Sequence, residues 1–209
     1  MVDWLFTVWD TIFVTSTVTI IFYSYVLYVM VFSKTEAFRS TFFRTFIFTG
    51  FFDIMAIVAL QWTHADLKLG FGHQFEFVTR LMMTFTGTNF LIHVFGELLM
   101  TLNRYTAACQ PMIHQKLWAK VQMRYLFSAT VVLSFVAYTE WFLTKFVYEP
   151  TADGWKLIGR EKETLAARLI GVLTVLTVEI INSILIICTV VSIRRQKKKH
   201  CQKMGQELV

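Results

Sequence analysis

Charge is scarce in this chain. Asp, Glu, Lys and Arg make up 16% of its 209 residues, against 56% hydrophobic residues and 21 phenylalanines, a composition suited to lipid rather than water. Proline occurs twice and glycine nine times, so few positions force the backbone out of a helix and no segment reads as a low-complexity linker. A single domain over residues 1–209 is expected. The three cysteines, Cys109, Cys188 and Cys201, fall in or beside segments assigned below to the cytoplasmic side, where disulfides are disfavoured. A secretory signal is missing too: the opening MVDWLFTVWD contains Asp3 and Asp10, lacks a positive n-region and leads into an apolar run too long for an h-region. No Asn-x-Ser/Thr acceptor is present.

Catalytic signatures are equally absent. No Gly-rich phosphate loop, Cys-x-x-Cys pair, Gly-x-Ser-x-Gly elbow or His-Glu-x-x-His run occurs, so an enzyme has no anchor and no cofactor is implied. A transporter would be expected to show an inverted repeat or a pair of Gly/Pro-broken spans, and neither is seen.

What is present is a set of long apolar stretches. Residues 12–32 contain no charged side chain, and about 20 apolar residues at a rise of ~1.5 Å each cross a hydrocarbon core of roughly 30 Å. Four more stretches of near-spanning length follow, at 42–62, 78–102, 125–146 and 168–193. The expected fold class is therefore all-α, a polytopic transmembrane bundle of five spans with a basic tail at 194–209. Thirteen of the 20 basic residues fall on one side, from Lys34 and Arg39 through Arg104 and Lys116 to the RRQKKKH run at 194–200. The positive-inside rule makes that side cytoplasmic, with the N-terminus outside and the C-terminus inside, and the plasma membrane the expected location. The basic run directly follows a span, so it reads as an anchor on anionic lipid rather than a nucleic-acid site.

Four acids remain inside the expected spans: Asp53, Glu97, Glu140 and Glu179. A carboxylate at mid-membrane costs roughly 2.5–3.5 kcal/mol to insert, so each should face the bundle interior, pair, or be neutralised. Asp53 needs a partner from another helix. It is either a central polar or cation site that changes during a conformational switch, or a neutralised acid satisfied by Asn, Ser or Thr. Asn89, His93 and Glu97 form an internal polar stripe, His93 and Glu97 standing four residues apart on one face. Two ligands do not define a metal site, and none is expected. Glu140, beside Trp141, reads as an interface anchor, and Glu179 with Asn182 and Ser183 as an interior flank. Trp62, Phe71, Phe75, Phe77, Tyr148 and Trp155 either pack over the bundle mouth or lie in the membrane interface, the latter being the ordinary place for aromatic belts.

The link TLNRYTAACQPMIHQKLW, residues 101–118, begins where the third stretch reaches the cytoplasm. The Arg104 guanidinium can bridge neighbouring helix ends there and release them in a switch. Asn103, Arg104 and Tyr105 resemble the acidic-Arg-Tyr triplet of seven-helix G-protein-coupled receptors, with Asn at the usually acidic position. With Pro111 and Trp118, the segment LNRYTAACQP resembles the third-helix end and second cytoplasmic loop of nematode serpentine chemoreceptors of the gamma group. Asp53 is similar to the acid in the second helix of many receptors.

The resemblance implies a chemosensory signalling receptor in a lipid bilayer. A small-molecule ligand would act around Asn89, His93 and Glu97, with Asp53, Asn103, Arg104 and Tyr105 as the switch and Pro111 and Trp118 in the loop that couples to a heterotrimeric G protein. It also implies seven spans, so this chain reads as shortened after its fifth. The competing expectation is a non-signalling five-span protein that associates with homologous full-length receptors.

Overall fold

The computed structural model describes residues 4–120, 123–151 and 154–207. The expected loops at 103–124 and 147–167 are therefore seen except at 121–122 and 152–153, and residues 208–209 of the expected tail and the Cys201 side chain lie outside the described residues. Helix α1 (Trp4–Phe32) leads through a 3-10 turn, Glu36–Arg39, into α2 (Thr41–Leu69). A second such turn, Gly72–Phe75, precedes α3 (Glu76–Cys109) and the short α4 (Pro111–Lys120). Then come α5 (Met123–Ala137), α6 (Thr139–Leu143), strands β1 (Phe146–Thr151) and β2 (Gly154–Arg160), and α7 (Leu165–Glu207).

The expected five-span, all-helical bundle is corrected on two counts. Among the described residues, three helices are both long and apolar enough to cross a membrane: Asp10–Phe32, Thr41–Asp66 and Leu165–Lys198. The stretch at 78–102 is helical within α3, but this helix also carries Glu76, Arg80, Asn89, His93, Glu97 and Arg104 and is too polar to count with those three. The stretch at 125–146 is not one helix. Helix α5 has 15 residues, about 22 Å at the usual rise and short of the roughly 30 Å core. The chain turns at Tyr138, α6 adds one short run, and Phe146 is already in a strand. Apolar composition runs straight through that turn, which is why hydropathy alone joins the pieces. The second count is the β-hairpin itself. The molecule is a multi-pass membrane protein: a helical bundle with a small hairpin insert.

Helix α3 is the centre of the bundle, packed most extensively against α2 and α7 and also against α5 and α6, while α1 packs on α2. The burial pattern differs from that of a water-soluble protein, with many large apolar side chains outward and threonines buried beside Leu91, Ile92 and Val94. Val14, Val18, Ile21 and Phe22 on α1 and Leu173, Ile180 and Ile187 on α7 are exposed, while Thr45, Thr49, Thr79, Thr84, Thr88 and Thr106 are buried. Lipid tails are as apolar as leucine, so helices in a bilayer gain by closing small side chains together and leaving large apolar ones outside. Several of the buried hydroxyls find acceptors one turn back: Thr45 donates to the Thr41 carbonyl at 3.0 Å, Thr84 to Arg80 at 2.8 Å and Thr130 to Leu126 at 3.0 Å. Helices α2 and α3 approach closely at Gly96, where an added Cβ would collide with the Thr49 methyl.

The hairpin is tied to the α2–α3 connection. Gly70 ends α2 in the left-handed region at φ 61°, and its carbonyl accepts the Trp155 N–H at 3.2 Å. The Trp155 indole lies over Gly72, and His73 sets its ring edge-on to Tyr148 and Trp155, each with centroids 4.9 Å away. Trp62, Phe71 and Phe75 form a second aromatic cluster on the same connection. Aromatic packing and backbone bonds thus hold a loop that has no disulfide. Burial, with Asp66 and Glu76 nearby, pushes the Tyr148 hydroxyl up to about 12.

Candidate functional site

On its α2-facing side, α3 places Asn89, His93 and Glu97 one turn apart, and Asp53 of α2 meets two of them. The Asn89 amide donates to Asp53 Oδ1 at 3.3 Å. His93 Nδ1 lies 3.1 Å from the same Asp53 oxygen, and its Nε2 lies 3.2 Å from Glu97 Oε1. The ring therefore bridges a carboxylate on α2 to one on its own helix. A neutral imidazole has one N–H and can serve only one of them, whereas the imidazolium serves both. With both acids ionised the cluster then carries one net negative charge. Tyr23 of α1 brings its hydroxyl against Gly50, one turn before Asp53, and lies beside that acid. Three helices thus converge on one polar point. Asp53 is largely covered, while the side chains of His93 and Glu97 are 45% and 42% exposed, so the cluster opens to one side.

Glu97 also lines a cavity of about 280 Å³ that runs towards the basic end of the bundle between α2, α3 and α7, with Thr101, Arg104, Glu179 and Asn182 on its walls. Asn182 is buried, and Glu179 and Ser183 are exposed. The Arg104 guanidinium stacks on the Phe42 ring of α2 at 4.6 Å and is otherwise open. Asn103 and Tyr105 are half-buried on neighbouring faces and do not join Arg104 in a shared hydrogen-bond network among the described residues.

Beyond Arg104 the chain turns back on itself. Pro111 is the first residue of α4, where its missing N–H costs nothing. Trp118 Nε1–H donates to the buried Thr106 hydroxyl at 2.9 Å, and His114 Nδ1 lies 3.0 Å from the same oxygen. That hydroxyl in turn donates to the Leu102 carbonyl at 2.9 Å. One threonine therefore clamps α4 against the last turns of α3. The Gln196 amide of α7 donates to the Ala108 carbonyl at 2.9 Å, so three elements meet at this end.

At the hairpin end, two acids hold backbone and a third holds a buried hydroxyl. Glu140 accepts the Ala167 N–H at 3.1 Å in the first turn of α7, and Glu76 accepts the Phe146 N–H at 3.1 Å where β1 begins. Asp66 is buried at the end of α2 and accepts from Thr79 at 2.9 Å, and Thr79 accepts from Trp62 Nε1 at 3.2 Å. These jobs explain why carboxylates survive in so apolar a chain.

Of the residues expected from the sequence, Asp53, Asn89, His93 and Glu97 come together in one cluster, whereas Arg104, Trp118 and Pro111 occupy a separate region. Thr106 and His114 were not singled out, because a threonine gives no pattern signal when its partner arrives through a turn. Among the described residues, no group of three His, Cys, Asp or Glu side chains is arranged to hold a metal ion.

The model of one protein family, described as serpentine type 7TM GPCR chemoreceptor Srv, matches residues 12–208. No curated protein matches the chain. The serpentine class agrees with the resemblance carried by LNRYTAACQP, while the matching branch is Srv where that resemblance pointed to the gamma group.

Proposed function

We propose a receptor mechanism for this chain, which belongs to the Srv family of serpentine 7TM GPCR chemoreceptors. Its general role is that of a membrane signalling receptor of non-catalytic class. A small chemosensory molecule shifts the packing of α3 against α2, and the shift is registered at the Asp53–His93–Glu97 bridge. The observation that carries this reading is the imidazole held between carboxylates of two helices. Two charge-assisted bonds on one ring are strong when aligned and are lost together when α3 rotates or slides, which is the behaviour of a two-state latch.

The switch passes along α3. Glu97 and Arg104 line the same cavity, two turns apart, so movement at the latch changes how Arg104 sits on Phe42. The α3 end, α4 and the basic end of α7 form the face offered to a heterotrimeric G protein, with Trp118 fixing α4 through Thr106. The excess of Lys and Arg at this end supports placing it in the cytoplasm, with the N-terminus and the hairpin outside.

The test uses the full chain in lipid nanodiscs and reads nucleotide exchange on a panel of heterotrimeric G proteins without added ligand. His93→Ala and Arg104→Ala should each change the basal exchange rate by about fivefold or more. Exchange no faster than with empty discs would overturn G-protein coupling. Coupling that is present but unaltered by His93→Ala would overturn the latch.

A further inference from the structure

The hairpin end holds a guanidinium that is in ion-pair contact with no carboxylate among the described residues. Arg160, on β2, is half-buried and lies over the Trp141 ring at 4.2 Å and near Phe146 at 5.6 Å. Its Nη1 donates to the Thr164 hydroxyl at 2.9 Å, and its Nη2 approaches Met83 Sδ at 3.7 Å. Among the described residues it makes no ion pair. The nearby carboxylate of Glu140 is turned to the Ala167 N–H instead. Burial, reinforced by the like charge of Arg168, works against the charged form of Arg160, and Glu140 only partly opposes this. Holding a cation this way is costly unless an anion completes the site.

Arg160 faces a cavity of about 490 Å³ whose walls also carry Lys162, Arg168 and one carboxylate, Glu163, so basic groups outnumber the acid three to one. Trp141 and Arg168 are shared with a second cavity of about 410 Å³, which is almost wholly apolar. That slot follows the first turns of α7 past Val172, Val175 and Leu176 and ends against Tyr138 and Phe90. Phe90 adjoins Asn89 and precedes His93 by one turn of α3. A largely cationic chamber thus adjoins, at Trp141 and Arg168, an apolar slot that reaches the latch helix.

We infer that this paired cavity binds an amphiphilic organic acid, its carboxylate on Arg160, Lys162 and Arg168 and its hydrocarbon part along α7. Charge complementarity sets the head group, since a planar guanidinium fork matches a carboxylate in two parallel hydrogen bonds. Apolar lining sets the tail, and the half-open slot suits a molecule that arrives by partitioning into the bilayer. As a binding site this rests on the cavity alone; as the site of the receptor's ligand it rests on the reading above.

Binding can be measured with the full chain in phosphatidylcholine nanodiscs, using 11-(dansylamino)undecanoic acid as the fluorescent probe and its primary amide as the uncharged control. The acid should bind saturably and about tenfold or more tighter than the amide, the size of one charge-assisted contact. Arg160→Gln should lose a similar factor. Because Arg160 also packs on Trp141, two other variants guard against misfolding. Arg168→Gln, at an exposed position, should weaken the acid and leave the amide unchanged, while Val175→Trp should obstruct the slot and weaken both. Equal binding of acid and amide, or no loss in any of the three variants, would overturn the proposal. Full displacement of the probe when phosphatidylserine is added to the disc would also overturn it and assign the site to a bilayer lipid. None of these readouts needs signalling, so a failed latch and a failed ligand site are told apart.

Discussion

Helices α1 and α3 have similar lengths, 29 and 34 residues, and opposite uses for their side chains. Helix α1 has no charged residue between Asp10 and its end and presents Val14, Val18, Ile21 and Phe22 outward. Helix α3 buries Thr79, Thr84, Gly87, Thr88, Gly96 and Thr106 and turns Asn89, His93 and Glu97 towards α2. The difference teaches that in this fold a largely apolar helix marks the lipid boundary, whereas the central helix mixes polar and small residues with buried Leu91, Ile92 and Val94. The long helix without a window apolar enough to cross a membrane is the one against which α2, α4, α5, α6 and α7 pack.

Substitutions that ignore this contrast should do unequal damage. The largest effect is expected at a tight contact between α2 and α3: Gly96→Leu drives a branched side chain into Thr49 and should cost about 3 kcal/mol, enough to abolish surface expression in a marginally stable bundle. The same insertion of bulk on α1, Val18→Leu, should leave expression and melting temperature unchanged. Should the two variants behave alike, the assignment of α3 to the centre and α1 to the lipid face would collapse.

Next in size is Thr106→Val. It preserves shape but removes the oxygen that accepts from Trp118 and meets His114, so a part-buried indole N–H loses its partner at about 1–2 kcal/mol. Limited proteolysis of α4 should accelerate, with little change elsewhere in the chain. An unchanged cleavage rate would mean that α4 is held by something other than this hydroxyl. The smallest effect belongs to Lys68→Ala. Its 2.6 Å contact with Asp10 joins α1 to α2 in the open, where ion pairs are screened and contribute little. No measurable shift in melting temperature is expected, at low or high salt.

The same contrast explains what could be read from the sequence. The lipid-facing helices were legible, since residues 12–32, 42–62 and 168–193 all lie within the three helices that can cross a membrane. The boundary at Tyr138 was not, because Tyr, Thr and Trp continue an apolar pattern through a turn that only packing against Leu91 and Ala167 makes visible. The hairpin has one local signal in the sequence: Asp153-Gly154 stands between residues rich in β-formers, a dipeptide common in tight turns. In the candidate site, the His93–Glu97 pairing follows from helical spacing within one element. Its union with Asp53 depends on the register of α2 against α3, where Gly96 lets Thr49 approach closely, and nothing local to Asp53 encodes that register.

The most direct test of the central claim, that His93 latches α3 to α2, is a double-mutant cycle on the full chain. Thermal stability in neutral nanodiscs would be compared for Asp53→Asn, His93→Ala and the pair. A buried ionic contact broken on one side costs about 3–5 kcal/mol, and near-half exposure of the His93 side chain lowers the expected coupling to roughly 1 kcal/mol. Coupling of that size would establish the latch between the two helices. Strictly additive losses would contradict it and leave the two residues as independent polar groups on adjacent helices.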